Sequence, residues 1–293
     1  MSSPPETRNP KPDTSSRNPF PKPQTRNLKP AGTAIIGRAG WIQPFPPTGV
    51  EWNTYDLPAP SPSADLAGLR IVHLTDFHLR RSLPNILLRV VERLNADPPD
   101  LLLLTGDFVE NKRNPYPALP ALRQFISALP AGVPTYAIVG NHDDYSVAYE
   151  LRDYRVTFLN GRQTVASIHG REVELIGLPG VHRRELETAF LRRLPERRPD
   201  LPRIVLAHFP DQLRVIDSLR PDLVLCGHTH GGQICLPGGI PLIWHDSLPR
   251  QFARGVHKIG RTWLVVSRGL GYTGLPLRVF CMPEVIELRM GKG

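Results

Sequence analysis

The chain has 293 residues, 40% of them hydrophobic and 22% charged, with 33 prolines and a formal net charge of +9. Those proportions exclude wholesale disorder and allow a sizeable buried core, and no apolar run approaches the roughly 18–20 residues of a membrane-spanning helix. Cys226, Cys235 and Cys281 are too few and too scattered for a disulfide framework, which favours a reducing compartment.

Charge is unevenly spread. The first thirty residues carry six Lys/Arg against two Asp/Glu, and the rest is only mildly basic. Residues 1–47 are rich in Pro, Ser, Asn and Lys/Arg without a hydrophobic period, and are expected to form a flexible basic tail, with Ala34-Ile35-Ile36 and Trp41-Ile42 packing weakly on the body. No secretory or twin-arginine signal is legible in it. Residues 48–293 are expected to form a single domain.

Within that domain, Leu69–Leu74 reads as a buried strand and Leu83–Leu94 as an amphipathic helix. Strands at Leu101–Thr105 and Val133–Val139 flank a helix at Leu119–Leu129. Val156–Leu159, Thr164–Ile168 and Val173–Leu178 read as antiparallel strands, and Glu185–Leu194 as a charged helix. Strands at Arg203–Ala207 and Asp222–Leu225 follow, with a short helix after Pro210 between them. Val256–Ile259, Thr262–Ser267 and Val285–Met290 return to strand. Strand–helix alternation with burial on both faces predicts an α/β fold, helices layered on sheets.

The polar residues that matter sit where strands end. Asp76 and His78 follow Leu74; Asp107 follows Leu104; Asn141, His142 and Asp143 follow Val139; His208 follows Ala207; His228 and His230 follow Cys226. Ligands bind outside the carboxyl ends of strands in open α/β sheets. Three Asp, one Asn and five His gathered there are costly to bury without a partner, and metal is the partner that suits them. A mixed imidazole, carboxylate and amide set fits Mn, Fe or Zn better than Mg or Ca. One shared carboxylate between two half-sites can hold a pair of ions roughly 3.5–4 Å apart, and Asp107, central in the series, is the natural bridge.

Asp76-x-His78, Gly106-Asp107, Gly140-Asn141-His142-Asp143, His208 and Gly227-His228-Thr229-His230 together resemble the ordered signature of the calcineurin-like metallophosphoesterases. Gly231-Gly232-Gln233, Val266-Ser267-Arg268-Gly269-Leu270-Gly271, Pro276-Leu277-Arg278 and Pro283-Glu284-Val285 are similar to its bacterial YaeI/YkuE-type phosphodiesterase branch. The resemblance implies a four-layer α/β/β/α sandwich of two mixed sheets flanked by helices. It implies one metal held by Asp76, His78, Asp107 and His230, and a second by Asp107, Asn141, His208 and His228. His142 would protonate the leaving oxygen and Asp143 would orient it. Arg80-Arg81 stands where the branch often has Gly, and the Pro-rich tail stands where it often has a membrane anchor or export signal.

Other candidates have plainer readings. His73 and His169 are expected to be core residues, and His182, His245 and His257 to lie in loops, His182 with an option on an anion. Arg192-Arg193 and Arg197-Arg198 read as solvated faces. Cys226 reads as a buried small hydrophobe rather than a ligand, and Cys235 and Cys281 have no assigned role.

The expected function is dinuclear metal-dependent hydrolysis of a phosphoester. The branch points to a diester or pyrophosphate on a lipid or cell-envelope precursor, most specifically UDP-2,3-diacylglucosamine in lipid A synthesis. Alternatives are a small-molecule or nucleotide phosphodiesterase, a protein phosphatase, and a non-catalytic binding scaffold. Arg81, Asn111, Arg113 and Arg183 are loop candidates for further phosphate contact. The expected location is the cytoplasm, with peripheral contact to anionic membrane at its inner face. No nucleic-acid partner is expected, since the chain's aromatics are dispersed and no basic face is evident.

Overall fold

The computed structural model describes residues 27–58, 66–180, 189–194 and 197–291. Two seven-stranded mixed sheets share one apolar layer. The first runs β2 (Gly32–Gly37), β4 (Gly49–Leu57), β18 (Glu284–Met290), β5 (Arg70–Leu74), β6 (Leu101–Leu104), β7 (Thr135–Ala137) and β8 (Thr157–Phe158). The second runs β1 (Asn27–Leu28), β15 (Gly255–Ile259), β16 (Thr262–Val266), β12 (Leu223–Cys226), β11 (Arg203–Leu206), β10 (Arg171–Gly177) and β9 (Arg162–Ile168). Two small ribbons pair β3 (Ile42–Pro44) with β17 (Leu277–Val279), and β13 (Cys235–Leu236) with β14 (Ile240–Pro241).

Side-chain alternation along the strands sorts the layers. Ile71, Leu101 and Leu103 face inward with Leu175, Ile204, Leu206, Leu223, Leu225 and Ile286 to form the layer between the sheets. Their neighbours Val72, Leu74, Leu102 and Leu104 face out, onto two helices. The first, α1 (Asn85–Ala96), buries Ile86, Leu87, Val90, Val91 and Leu94, one stripe at helical spacing. The second, α2 (Leu119–Ala128), buries Leu119, Leu122, Phe125 and Ile126 in the same way. On the far side, Ile176, Val205, Val224 and Leu264 pack against α4 (Leu213–Ile216) through Leu213 and Ile216. A short α3 (Tyr145–Glu150) starts at Asp144, whose carboxylate accepts from Ser146 N. The result is the α/β/β/α sandwich, and truncating a layer residue such as Leu102 to Ala would cost about 2–5 kcal/mol.

The tail expected to run to residue 47 needs correction at its end. β1, β2 and β3 are paired strands, β1 on β15, β2 on β4 and β3 on β17, and Trp41 stacks on Phe280 at 5.7 Å. Backbone pairing, with Ile36 the residue of β2 that reaches the core, orders this stretch, and composition does not report it. Residues 1–26 lie outside the described residues. β8 pairs parallel with β7 in the first sheet rather than joining the antiparallel β9–β10 hairpin. Of the expected helix at Glu185–Leu194, residues 189–191 are helical and 185–188 lie outside the described residues, as do His182 and Arg183.

Among the histidines, His73 is buried as expected, its Nε2 2.8 Å from Thr105 Oγ1, and burial pushes it down to about 3, so it is neutral. His169 is not a core residue: it is 69% exposed and pairs with Asp100 at 2.8 Å, because the β9–β10 turn carries it outward. His257 is not in a loop but on β15, buried, with Nε2 2.9 Å from the Arg254 carbonyl oxygen. Arg197 is not solvated; it pairs with buried Asp222 at 2.9 Å, whereas Arg192, Arg193 and Arg198 are exposed. Cys226 is buried on β12, and burial pushes its thiol well up. Among the described residues, no helix is long and apolar enough to cross a membrane.

Candidate metal centre

Strands β5, β6 and β7 are mutually parallel, as are β11 and β12, so their carboxyl ends deliver the polar segments to one edge of the sandwich. The chain turns sharply there: Asp76, His78, Asp107, His228 and His230 all have φ between 45° and 69°. Left-handed backbone in non-glycine residues persists only where the surroundings enforce it, and its concentration on five candidate ligands marks a functional site. Glycine precedes several of them for lack of room. A Cβ on Gly140 would fall 2.2 Å from Asp107 Oδ1, and one on Gly227 2.2 Å from Asp76 Oδ2.

The seven candidate ligands converge. His78 Nε2 lies 3.0 Å from His230 Nε2, 3.4 Å from Asp107 Oδ2 and 4.0 Å from Asp76 Oδ1. On the other side of the same carboxylate, His208 Nε2 is 3.3 Å from Asp107 Oδ2. Asn141 Oδ1 is 2.9 Å from both His208 Nε2 and His228 Nδ1. Asp76, His78, Asp107, His208 and His230 are all at least 97% buried. Asp76, His78 and His230, and separately Asp76, Asp107 and His208, offer ligand atoms within 4.8 Å of one another.

Outer hydrogen bonds fix which nitrogen faces inward. His78 Nδ1–H donates to Glu110 Oε2 at 2.7 Å, His208 Nδ1–H to the Thr105 carbonyl at 2.7 Å, and His228 Nε2–H to the His245 carbonyl at 3.0 Å. In its neutral form each ring leaves a lone pair pointing into the cluster. Neutral His208 and His228 would then face Asn141 Oδ1 and Asp107 Oδ2 lone pair to lone pair, a conflict relieved by a bound cation or, without one, by a proton on His208. Such a donor set fits a cation. Behind His230, Arg278 is fully buried; its Nη2 sits 3.2 Å from His230 Nδ1 while donating to the carbonyls of Gly271 at 2.6 Å and Arg268 at 2.7 Å.

Protonation follows these neighbours. Burial works to raise Asp107, yet His208 and His78 hold it well below the usual carboxylate range. Asp76 moves up, from burial and then from Asp107, against the pull of His208 and His78. Burial works to lower His208, but the charge and hydrogen bond of Asp107 carry it up to about 9. His228 is pushed down to about 4 by burial and by His208, and His230 goes down through burial, His78 and Arg278.

His142 lies at the rim, its ring 4.8 Å from that of His78. Its Nδ1–H donates to the Glu110 carbonyl oxygen at 2.8 Å, and its backbone N–H to Asp107 Oδ1 at 2.8 Å. The role expected for Asp143 needs correction. Its carboxylate accepts from the backbone N–H groups of Gly140 at 2.9 Å and Val109 at 3.1 Å, tying two loops together, while the Glu110 carbonyl orients the histidine. Burial, then repulsion from Asp107, raises Asp143 to about 7.

Sequence reasoning missed Glu110, Lys112 and Arg278. Glu110 serves two histidines, one through its carboxylate and one through its backbone, and pairs with Arg80 at 3.5 Å. Lys112 Nζ donates to the Asn141 carbonyl at 3.1 Å. The signal for Glu110 was its place three residues after Asp107; Arg278 lay within a quoted motif. Arg81, Asn111 and Arg113 are exposed on loops, with Asn111 Oδ1 accepting from Arg113 N at 3.0 Å.

Comparison with known proteins agrees with this geometry. Residues 69–232 match the calcineurin-like phosphoesterase family. Phosphodiesterase YaeI of Escherichia coli is 32% identical over 237 residues, covering 76% of this chain and 83% of that protein. The uncharacterized metallophosphoesterase YkuE of Bacillus subtilis is 29% identical over 278 residues, covering 92% and 96%. UDP-2,3-diacylglucosamine pyrophosphatase LpxG of Chlamydia trachomatis is 27% identical over 302 residues, covering 82% and 87%. The chain belongs to the calcineurin-like phosphoesterase family, and it is a metal-dependent phosphoester hydrolase.

Proposed function

We propose that the protein hydrolyses a phosphodiester or pyrophosphate on a lipid or cell-envelope precursor such as UDP-2,3-diacylglucosamine. In this reading Asp76, His78, Asp107 and His230 hold one divalent ion of Mn, Fe or Zn type. Asp107, Asn141, His208 and His228 hold a second. The observation that carries the reading is a single oxygen, Asp107 Oδ2, which faces His78 Nε2 at 3.4 Å and His208 Nε2 at 3.3 Å. All seven ligand positions and His142 are present, which argues against a binding scaffold without activity. The name of the Chlamydia relative supports the finer substrate.

Bound divalent ions supply charge neutralisation at the phosphoryl oxygens and an activated water nucleophile. The chain's own residues supply the rest. With His142 Nδ1–H held on the Glu110 carbonyl, the imidazolium has its second proton on Nε2 to give to the leaving oxygen. The bond from its backbone to Asp107 fixes this acid to the same carboxylate that faces both ligand sets. The name of the Escherichia coli relative, a phosphodiesterase, supports a preference for a diester over a monoester.

The test is kcat/KM for bis-p-nitrophenyl phosphate, p-nitrophenyl phosphate and UDP-diacylglucosamine, each with Mn, Zn and Mg. Diester preference is expected. A monoester preference of tenfold or more, about 1.4 kcal/mol, overturns the substrate reading and favours a phosphatase. We also propose a cytoplasmic location with peripheral contact to anionic membrane. Salt-insensitive sedimentation with anionic vesicles, equal with and without residues 1–26, counts against that contact.

A further inference from the structure

Beside the His228–His230 turn opens a pocket of about 440 Å³ that the proposed chemistry leaves unused. Thr229, His230, Ile234, Leu242, Ile243 and Leu275 are among the residues that line it. Three of these aliphatic side chains stand open to solvent: Leu242 is 53% exposed, Ile243 60% and Leu275 64%. Aliphatic groups exposed together at a cleft mark a binding surface, and the volume is that of a small-molecule site.

The walls are built onto the turn that bears the candidate ligands. The Gln233 side-chain amide donates to the carbonyls of Leu275 at 2.9 Å and Thr273 at 3.0 Å, and its oxygen accepts from Thr273 N at 3.1 Å. Leu242 N donates to the Ile234 carbonyl at 3.2 Å. A Cβ on Gly232 would fall 2.4 Å from Pro241 Cβ, so the β14 segment packs directly on the turn. His245 also lines the pocket, and its carbonyl holds His228, so the pocket shares a wall with the second ligand set.

No Asp, Glu, Lys or Arg lines the pocket among the described residues. Nothing there recognises a phosphate or a charged sugar; the chemistry suits hydrocarbon. We propose that this pocket receives an aliphatic chain, an acyl or alkyl substituent carried by the phosphoester substrate, with Leu242, Ile243 and Leu275 setting the preference for chain over small substituent. The inference rests on the phosphoester reading and adds the groove through which the same site selects its substrate.

Calorimetric binding of methylphosphonate and octylphosphonate to the Mn-loaded full chain tests it, with octylphosphonate below its micelle concentration. Each buried methylene strengthens binding about fourfold. Octylphosphonate is therefore expected to bind wild type at least about tenfold more tightly than methylphosphonate. In Leu242→Asn and Leu275→Asn, separately made at exposed positions, that ratio should fall toward one. Equal binding of the two phosphonates by wild type, or an octyl preference that survives both substitutions, overturns the pocket while leaving the phosphoester reading in place. Failure to bind either phosphonate, with no hydrolysis of any phosphoester, overturns that reading instead.

Discussion

Replacing Glu110 by glutamine keeps the shape of the side chain and removes the charge that His78 Nδ1–H faces at 2.7 Å. The carboxylate is 21% exposed, so solvent screens it only in part. A hydrogen bond to a charged group contributes about 1.5–3 kcal/mol and a neutral one about 0.5–1.5. The amide oxygen of glutamine can still accept, so the loss at His78 is about 1–1.5 kcal/mol by that difference. That corresponds to roughly tenfold in affinity, the low end of the about 10–100-fold found when an outer partner of a metal-ligating histidine is removed. The backbone carbonyl that orients His142 is untouched by the substitution. Calorimetric titration of chelator-stripped Glu110→Gln with Mn should therefore show one of two sites weakened about tenfold. The other site, formed by Asn141, His208 and His228 on Asp107, should bind as before. Two affinities unchanged within twofold, or both sites abolished, would refute the reasoning from His78.

Other substitutions separate ligand from acid. Asp107→Asn should weaken both ions, since a neutral amide faces two cations poorly, and elemental analysis reads this directly. His142→Ala should retain both ions and lose about 10²–10⁴-fold in turnover, the range for a missing general acid; an emptied site would mean that His142 is a ligand. Because Asp107 holds His208 up to about 9 in the metal-free protein, Mn binding near pH 7 should release its proton. Affinity then rises with pH until about 9, and titration in buffers of different ionisation enthalpy counts the protons. The same upward shift from 6.5 to about 9 stabilises the metal-free fold below pH 6.5 and is lost as pH rises through 9, which thermal melting checks. Away from the site, Glu174 and Arg203 form a buried pair, with Oε2 2.6 Å from Nε and Oε1 3.1 Å from Nη2. Glu174→Ala strands the guanidinium and should cost about 3–5 kcal/mol in urea unfolding.

The ligand cluster was legible because each residue follows a strand whose apolar run announces its end. Leu101–Leu104, buried on both faces, states plainly where Asp107 must emerge. β4 was not legible, although it lies in the middle of the first sheet's pairing with β2 and β18. Its buried positions include polar Asn53 and Thr54, and its Trp52 carries a polar tip. They are satisfied by partners far along the chain: Asn53 Nδ2 donates to Glu284 at 2.7 Å and Trp52 Nε1 to Glu287 at 2.8 Å. Local pattern cannot report such compensation. Glu110 was hidden for a related reason. Leu79 bridges to Val109, with Glu110 N donating to the Leu79 carbonyl at 3.0 Å, and only this pairing of two loops brings the carboxylate under His78. Asp143 illustrates the opposite error, in which the family resemblance implied a contact with His142 that the local turn directs to the Gly140 and Val109 backbone instead.

The placement of the first strands has a consequence for how the protein is made. Among the described residues β1 pairs with β15 and β3 with β17, and β4 lies between β2 and β18, so early residues wait for residues 255–290. At about 5–20 residues per second on the ribosome, the wait is roughly ten to fifty seconds. During it β4 and β5 each stay unpaired on the side that β18 will fill. Exposed strand edges recruit other chains. Emergence of residues 255–290, rather than growth of any earlier portion, is then the event that closes both sheets, and chains stopped short of residue 284 should be found with chaperones or in aggregates.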